Sequence, residues 1–396
     1  MTSTEFNKEY NLQDINAKWF VIEEVKEKDD VQVVGKASTM TKDIFKRFFS
    51  NKWNWLFLAI ILVILLLTII VPLTSRYTEL DPISGTRGND IRLLKPTWAG
   101  EQTKDFMISI PEWNNPDWVP KSGNVAGHWN WPHGTPNLPF DPANVGHDGV
   151  HVVKSTGQVR ITVLNTMVNS HNLILGTDEV GRDVWTRLWI GTAWSLKLAL
   201  LVAVTETIIG VGVGVWIGFH VGKATDTIVM RIIEIFKSTP VLLWMILFAT
   251  ILGTGFWSIA LVLILVGWTG PIWAARLFTL KVKDRDFILA AEVTGVSKFG
   301  RIYRHILPNI MGRLMVSFVL RVPAVIFFEA TLIFLGMSVG AEGAATLGNL
   351  IQTGRSHILE QVYYVLGPVM VILLLTISLQ NLANGLRDAF DPKISG

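Results

Sequence analysis

The stretch WLFLAIILVILLLTIIVPL, residues 55–73, contains no charged side chain. An α-helix rises about 1.5 Å per residue, so crossing about 30 Å of hydrocarbon takes about twenty apolar residues. The stretch therefore predicts a membrane-spanning helix at 54–74. The rest of the chain agrees, because 50% of its 396 residues are hydrophobic and 17% are charged, against about 25% charged in an average soluble domain.

Five further stretches meet the same requirement and bring the predicted number of spans to six. They are residues 195–219, 228–252, 256–276, 314–338 and 361–383. The uncharged run that contains the third and fourth spans is too long for one helix, and Gly253-Thr254-Gly255 is interpreted as the turn that divides it. In the second span, the spacing Gly-x-Gly-x-Gly over 210–214 favours close helix packing. The sequence thus predicts an all-α polytopic membrane protein.

Basic residues predict the orientation, because short loops rich in Lys and Arg stay in the cytoplasm. Before the first span lie Lys42, Lys46, Arg47 and Lys52, and between the fourth and fifth spans lie Arg276, Lys281, Lys283, Arg285, Lys298, Arg301, Arg304 and Arg313. Both termini are therefore predicted to be cytoplasmic. We expect residues 1–53 to form a tail with a surface-lying helix at 41–53, and residues 387–396 to form a short second tail. The net charge of +3 is too small to indicate nucleic-acid binding.

Residues 75–186, between the first and second spans, are rich in Pro, Gly, Asn and Trp. This composition favours turns and short strands over a small aromatic core. We therefore expect an extracytoplasmic insert domain of mixed, β-rich structure. Four histidines cluster there, at His128, His133, His147 and His151. The surrounding Pro and Gly and the lack of any cysteine argue against a metal site.

The stretch FILAAEVTGVSKFGRIYRHILPNI, residues 287–310, lies in the basic loop between the fourth and fifth spans. It carries the small residues Ala290, Ala291 and Gly295, and spacing predicts that Ala291 and Gly295 share one helical face. We expect a short helix over 288–300 and a loop that ends at Leu307-Pro308. The residues alone leave two interpretations open: an ordinary basic loop, or a rigid handle that transmits force to both adjoining spans.

Several of these stretches resemble one family. Ala290-Ala291, Gly295 and Leu307-Pro308 resemble the EAA loop of bacterial ABC importer permeases, the segment that sits in a cleft of the ATPase subunit. Four further stretches are similar to the oligopeptide and dipeptide permeases of the C type: residues 45–60, 175–196, 328–340 and 384–394. The resemblance implies the six-helix type I permease fold, with its core at 187–386 and its coupling loop at 280–310.

The resemblance also implies a function and a set of partners. The chain would be the membrane-spanning subunit of an importer of oligopeptides or dipeptides in the bacterial cytoplasmic membrane. The implied partners are a homologous second permease subunit, two cytoplasmic ATPase subunits, an extracytoplasmic peptide-binding protein, membrane lipid and the peptide itself. No Walker sequence occurs in the chain, so we expect ATP and Mg to be bound by the ATPase subunits and this chain to hold no cofactor and have no catalytic residues.

Contact with the ATPase is carried over from the family to seven residues of the coupling loop: Ala290, Ala291, Glu292, Gly295, Lys298, Leu307 and Pro308. Two positions of the loop depart from the family pattern, because Leu289 stands where an acidic residue is expected and His305 stands where an isoleucine is common. The external segment 74–174 is also longer than the usual loop of the family. Glu292, three residues after Leu289, is the candidate to supply the missing negative charge.

The segment LGTDEVGRD, residues 175–183, is the candidate external gate or docking motif, through Gly176, Thr177, Asp178, Gly181, Arg182 and Asp183. Its glycines suggest nucleotide binding, but the lysine of a P-loop is missing. We expect instead that it caps a surface helix beside the second span, with Asp178 near the N-terminus of that helix.

Three charged residues, Glu206, Arg321 and Glu329, fall inside predicted spans. A charge there costs about 2.5–3.5 kcal/mol or more unless it finds water or a partner. They line the solute path, bind a peptide terminus, or serve structure through an Arg321–Glu329 pair. A different function, a self-sufficient channel or ion-coupled transporter, would use all three as a relay. Within the family, import of nickel chelates or other small solutes also stays open.

Overall fold

A computed structural model describes residues 40–83, 92–99, 103–109, 129–130, 150–153, 158–165, 173–253, 255–337 and 344–390. This part of the chain is mostly helical. Its helices are α1 (Met40–Ser50), α2 (Lys52–Thr74), α3 (Val184–Phe219), α4 (Ala224–Ser238), α5 (Val241–Leu252), α6 (Phe256–Leu280), α7 (Asp286–Val293), α8 (Lys298–Phe334), α9 (Leu347–Ser356) and α10 (Val362–Phe390). Residues 1–46 and 47–396 are separate packing units, and of the first unit only the start of α1 lies among the described residues.

Five of these helices are long and apolar enough to cross a membrane: α2, α3, α6, α8 and α10. Helices α4 and α5 meet that test only as a pair, and they are bent by 94° where they join. The prediction of one helix at 228–252 is therefore wrong. Pro240, at the break, cannot donate to the helical ladder and disfavours helical geometry in the residue before it. Accordingly Thr239 is extended, with φ −99° and ψ 137°.

The second and fifth spans are longer than predicted. Helix α3 begins at Val184 rather than 195, and α8 begins at Lys298 rather than 314. The prediction that the loop ends at Leu307-Pro308 is wrong, because α8 passes through both residues. A π-helical turn, Arg301–Ile306, precedes them, and the Leu307 N–H donates to the carbonyl of Ile302. This wider turn accommodates Pro308, which has no N–H to offer.

Helix α3 lies against the other long helices and provides much of the buried core. Three glycines spaced four apart, Gly210, Gly214 and Gly218, face α6. A Cβ at Gly214 would lie 2.5 Å from the carbonyl oxygen of Ile272, so the two backbones approach closely at this face. The predicted Gly-x-Gly-x-Gly packing is therefore confirmed at Gly210 and Gly214, whereas Gly212 faces open space.

In the sequence, a four-stranded antiparallel sheet comes between α2 and α3. Its strands are β1 (Thr103–Ser109), β2 (Trp129–Asn130), β3 (Val150–Val153) and β4 (Gln158–Asn165). Strand β4 pairs with the other three, with Thr103 opposite Leu164 and Val150 opposite Ile161. These strands fall within the segment for which the sequence predicts a β-rich insert.

Candidate functional site

Helix α7 sits at one end of the helix bundle, in the connection between α6 and α8. Its side chains Ile288 and Ala291 are buried. Ile288 packs into an apolar cluster built from α3, α6 and α8 and from the turn after α6: Val215, Ala275, Val282, Ile302, Ile306, Ile310 and Leu314. Helix α7 thus packs against three long helices and is not part of a loop without tertiary contacts.

Helix α7 ends earlier than predicted. Gly295 follows the C-cap Thr294 with a φ of +81°, a conformation that favours glycine. The N–H of Gly295 donates to the backbone carbonyl of Glu292 at 3.0 Å, and the N–H of Val296 donates to the backbone carbonyl of Ala291 at 3.0 Å. This is the hydrogen-bond pattern of a Schellman motif. The prediction of one helix over 288–300 with Ala291 and Gly295 on one face is therefore wrong.

The surface around α7 is apolar and exposed. We call this the α7 surface, and it consists of Phe287, Leu289, Val293, Phe299 and Tyr303. Val293 is 88% exposed, and the rings of Phe299 and Tyr303 contact each other with centroids 4.4 Å apart. A group of large apolar side chains that the chain itself leaves uncovered marks a surface that another protein or lipid covers. Ala290, Lys298 and Pro308 of the predicted coupling loop are also exposed, and Leu307 is half-buried.

Glu292 and Arg301 form an ion pair across the turn after α7. Arg301 Nη1 lies 2.5 Å from Glu292 Oε2. The guanidinium of Arg301 also lies 5.4 Å from the ring centroid of Phe219, the last residue of α3. Leu289 is exposed. Glu292 therefore does supply a negative charge in α7, but it is engaged within the chain.

A basic cavity of 520 Å³ opens beside α7. Its lining includes Lys281, Arg285 and Arg313, with Asp286 as the acidic member. Three bases against one acid favour a negatively charged partner at this end of the bundle.

At the opposite end, residues 175–183 form a tight turn around one carboxylate. Asp178 is fully buried and accepts hydrogen bonds from the N–H groups of Val180 and Arg182, at 2.9 and 2.8 Å. It also accepts from Arg182 Nε at 2.6 Å, and Arg187 Nε lies 3.5 Å away. Gly181 has a φ of +87°, which lets the chain reverse over the carboxylate.

Asp183 ends this turn and caps α3 directly. Its side chain accepts the N–H of Thr186 at 2.8 Å. Burial raises the pKa of the Asp183 carboxyl above its ordinary value, and the hydrogen bonds from Thr186 and Trp185 act against that rise. The prediction that the motif caps a separate surface helix, with Asp178 at its N-terminus, is wrong, because the capped helix is the span α3 itself.

The same turn fastens residues 92–99 to the bundle. The N–H of Thr177 donates to the carbonyl of Leu94 at 3.0 Å, and the N–H of Leu94 donates to Thr177 Oγ1 at 2.8 Å. Gln361 Nε2 donates to the same Leu94 carbonyl at 2.6 Å. Gly176, with a φ of +83°, leaves no room for a side chain here, because a Cβ would overlap the Leu94 carbonyl and the Gln361 amide.

Inside the bundle, Glu206 of α3 pairs with Arg321 of α8. Both guanidinium nitrogens that face Glu206 donate to its carboxylate, with Arg321 Nη2 at 3.0 Å from Oε1. Gly267 of α6 lies against the pair, and a Cβ there would overlap both side chains. The pair lines a cavity of 140 Å³ together with Val241 and Met245 of α5.

Glu329 lies apart from that pair. It is buried, and its Oε1 accepts the hydroxyl of Ser195 at 3.0 Å. Ser195 Oγ in turn accepts the N–H of Leu347, the first residue of α9, at 3.4 Å. The predicted Arg321–Glu329 pair is therefore wrong: Arg321 binds Glu206, and Glu329 binds Ser195.

Three contributors were missed at the level of sequence. Arg276 binds Asp226 through two hydrogen bonds, of 2.6 and 2.9 Å, and so ties the start of α4 to α6. Gln361 donates to the Leu94 carbonyl, and Gly267 leaves room for the Glu206–Arg321 pair. The acidic Asp226 beside an apolar stretch was the sequence feature that could have indicated its pairing with Arg276. Gln361 and Gly267 carry no local signal.

Within the described residues, no group of three or more His, Asp or Glu side chains is arranged to hold a metal ion. His151 lies in β3, whereas His128, His133 and His147 lie outside the described residues. The absence of a metal site among these histidines stays a prediction.

The chain is similar to known proteins over most of its length. Residues 210–396 match the family model of the binding-protein-dependent transport system inner membrane component, and residues 39–96 match the N-terminal TM domain of oligopeptide transport permease C. The oligopeptide transport system permease protein OppC of Mycoplasma pneumoniae is 32% identical over 370 residues, covering 92% of this chain and 93% of that protein. The dipeptide transport system permease protein DppC of Bacillus subtilis is 38% identical over 220 residues, covering 55% of this chain and 68% of that protein.

Proposed function

Because the chain belongs to the family of oligopeptide transport permeases, the membrane components of binding-protein-dependent transport systems, we propose that it carries oligopeptides or dipeptides into the cell as one of the two membrane subunits of an ABC importer. The chain is a multi-pass cell membrane protein. Its type I permease core pairs with a homologous second permease. Two ATPase subunits bind ATP and Mg on the cytoplasmic side, and a peptide-binding protein delivers cargo on the other.

The distribution of charge supports this orientation. The end that carries α7 also carries Lys281, Arg285, Lys298 and Arg313, and basic loops remain in the cytoplasm. The turn at residues 175–183 and the β-sheet then face the outside. The proposal also puts the start of α2 and the end of α10 on the cytoplasmic side. A Cβ at Gly385 of α10 would overlap the side chain of Asn54 of α2, and a Cβ at Gly312, near the start of α8, would overlap Phe390 at the end of α10.

The observation that carries the proposal is the α7 surface. Helix α7 is held on three long helices by Ile288, yet Leu289 and Val293 point away from the bundle. An ATPase subunit that covers Leu289 and Val293 moves α7, which contacts α3, α6 and α8 through Ile288. Movement of the ATPases on ATP binding then switches the pathway between its outward and inward openings.

Replacing Val293 with aspartate is expected to release the ATPase subunits. Fully burying a valine contributes about 1.5–3 kcal/mol, and an unpaired carboxylate in its place adds a desolvation cost. Affinity should therefore fall by at least about tenfold. The measurement is the amount of ATPase subunit that co-purifies with the permease from membranes, relative to the unchanged chain.

Leu359→Asp is the matched control. Leu359 is fully exposed and lies between α9 and α10, at the end of the bundle opposite α7. It receives the same new charge without touching the α7 surface, so the ATPase subunits should stay bound. Undiminished co-purification with Val293→Asp would remove the docking role of the α7 surface.

We also propose that the insert enlarges the surface on which the binding protein docks. Its two ends are fastened together, because Thr97 donates to the carbonyl of Leu173 at 2.9 Å and Trp98 Nε1 donates to that of Ile174 at 2.7 Å. Residues 100–172 therefore leave and re-enter the bundle at nearly the same point. An insertion of this kind can be removed without stretching the chain that remains.

Replacing residues 100–172 with a short Gly-Ser linker is expected to leave the helix bundle folded and the ATPase subunits bound. Binding of the peptide-binding protein to the purified complex should weaken by about tenfold or more, since contact area is lost. The control deletion removes residues 92–172, and with them the Leu94 contacts to Thr177 and Gln361, and it should destabilise the bundle as well. Unchanged association after the first deletion would contradict the docking role.

The relay of an ion-coupled transporter is not favoured by the arrangement of charges. Glu206 and Arg321 neutralise each other, and Glu329 hydrogen-bonds to Ser195 instead of joining them. The three side chains therefore do not form a continuous chain of proton or ion sites.

A further inference from the structure

Arg301 stands where three helices meet. It is the first residue of the π-helical turn in α8, its guanidinium binds Glu292 of α7, and it lies over the ring of Phe219 at the end of α3. Its side chain is only 9% exposed. One buried side chain thus joins the coupling helix α7 to two different spans.

Apart from the ion pair of Glu292 with Arg301, helix α7 contacts the bundle through apolar packing. Ile288 sits in an apolar cluster, and apolar contacts are non-directional, so they tolerate sliding. The ion pair between Arg301 and Glu292 is directional and charge-assisted. Contact between a guanidinium and an aromatic face adds an attraction that strengthens when water is excluded. Arg301 therefore resists movements of α7 that the apolar cluster permits.

The covalent link between α7 and α8 is a poor transmitter by comparison. It runs through Gly295, whose backbone adopts a φ of +81°, and through Ser297, whose hydroxyl accepts the N–H of Gly300 at 3.2 Å. The turn is closed by the two backbone hydrogen bonds of the Schellman motif, but it holds only the C-terminal end of α7 and does not by itself stop the other end from tilting. Rigid transmission needs a second connection, and among the described residues Arg301–Glu292 is the ion pair that spans this turn.

We propose that Arg301 is the positioning residue that converts displacement of α7 into movement of α3 and α8. This inference rests on the proposed function, because it requires ATPase subunits that move α7. Without Arg301, the ATPases still grip the α7 surface and still hydrolyse ATP. Helix α7 then pivots about Gly295 and the pathway fails to open in step with hydrolysis. The signature is a loss of coupling rather than a loss of assembly.

The test uses the assembled importer, with both permeases, both ATPases and the binding protein, in proteoliposomes. Peptide uptake and ATP hydrolysis are measured in the same sample. With Arg301→Gln, the ATPase subunits are expected to stay bound and hydrolysis to continue, while peptide carried per ATP falls by about tenfold, within the usual range of coupling between two sites.

Arg304→Gln is the matched control. Arg304 lies in the same π-helical turn and is exposed, so its loss removes an equal charge from the same segment without touching Glu292 or Phe219. Peptide carried per ATP should stay unchanged. Arg301→Lys should give an intermediate ratio, because lysine keeps the charge but lacks the planar guanidinium.

The Glu292→Gln variant provides an independent check, since Glu292 is largely exposed and its replacement leaves the core intact. It should lower peptide carried per ATP in the same direction. If the two residues act as one link, the double variant with Arg301→Gln should be no worse than Arg301→Gln alone. Independent, multiplying defects would overturn the proposal.

The remaining outcomes separate the two levels of inference. If the unchanged importer shows no ATP-driven peptide uptake, the proposed function fails and the role of Arg301 fails with it. If it shows uptake and Arg301→Gln keeps the normal peptide-to-ATP ratio, only the role of Arg301 is overturned. If Arg301→Gln and Glu292→Gln both lose their ATPase subunits, the pair serves docking and the proposal is likewise overturned.

Discussion

Replacing Arg321 with methionine is expected to lower the free energy of unfolding by about 3–5 kcal/mol, because it leaves Glu206 buried without its counter-charge. Glu206 is fully buried, and Arg321 donates to both of its carboxylate oxygens. Gly267 keeps the third helix close to the pair. Loss of folded protein during a thermal ramp in detergent, followed by size-exclusion chromatography, measures the effect.

The double variant Arg321→Met with Glu206→Gln is the informative companion. It removes both charges and should recover most of the lost stability, because a neutral pair of similar volume is often tolerated. Arg231→Met is the matched control, since Arg231 pairs with Glu234 at 2.8 Å on the surface of α4 and exposed pairs contribute at most about 1 kcal/mol. Equal stability of Arg321→Met and Arg231→Met would show that the buried pair is not structural.

Replacing Asp178 with asparagine is expected to loosen the outer end of the bundle and to cost about 3 kcal/mol or more. Asp178 binds two backbone N–H groups and Arg182, and it lies 3.5 Å from Arg187. Asparagine preserves the shape but leaves two guanidinium groups without their shared negative charge. We expect faster proteolysis and faster hydrogen exchange at residues 92–99 and 173–187, measured on the purified chain in detergent.

Asp81→Asn serves as the control for that substitution. Asp81 is exposed and accepts a hydrogen bond from the Thr78 hydroxyl at 2.8 Å, so it lies at the same end of the bundle but outside the buried turn. Its replacement should change stability by about 0.5 kcal/mol or less. If Asp178→Asn behaves like Asp81→Asn, the turn at 175–183 is not held together by its central carboxylate.

Hydrophobic length predicted the five spans α2, α3, α6, α8 and α10, because crossing a bilayer imposes one requirement on every span, whereas the orientation taken from the basic loops stays a prediction. The residues at which the spans begin and end were harder to predict. Helix α3 begins eleven positions early because Asp183 accepts a hydrogen bond from Thr186, and polar residues within its first turns hid that start. The bend after α4 was missed because Thr239 and Pro240 were counted by hydropathy rather than by backbone geometry.

The charged side chains could be identified from the sequence but not paired. The sequence analysis offered a pair of Arg321 with Glu329, whereas the structure pairs Arg321 with Glu206, a residue of another span. Such a choice depends on how α3 and α8 cross, and no local pattern encodes that crossing. Gly295 shows the same limit at smaller scale: four-residue spacing placed it on the face of Ala291, but its φ of +81° ends the helix instead.

The bend between α4 and α5 has a consequence for how the importer is built. Helix α5 has 12 residues and so reaches about 18 Å, well short of the roughly 30 Å of hydrocarbon. Because α4 turns away by 94°, it does not continue α5 as one straight span. Helix α5 also leaves Leu243, Leu247 and Ile251 exposed, so lipid or a neighbouring polypeptide has to cover this short apolar helix.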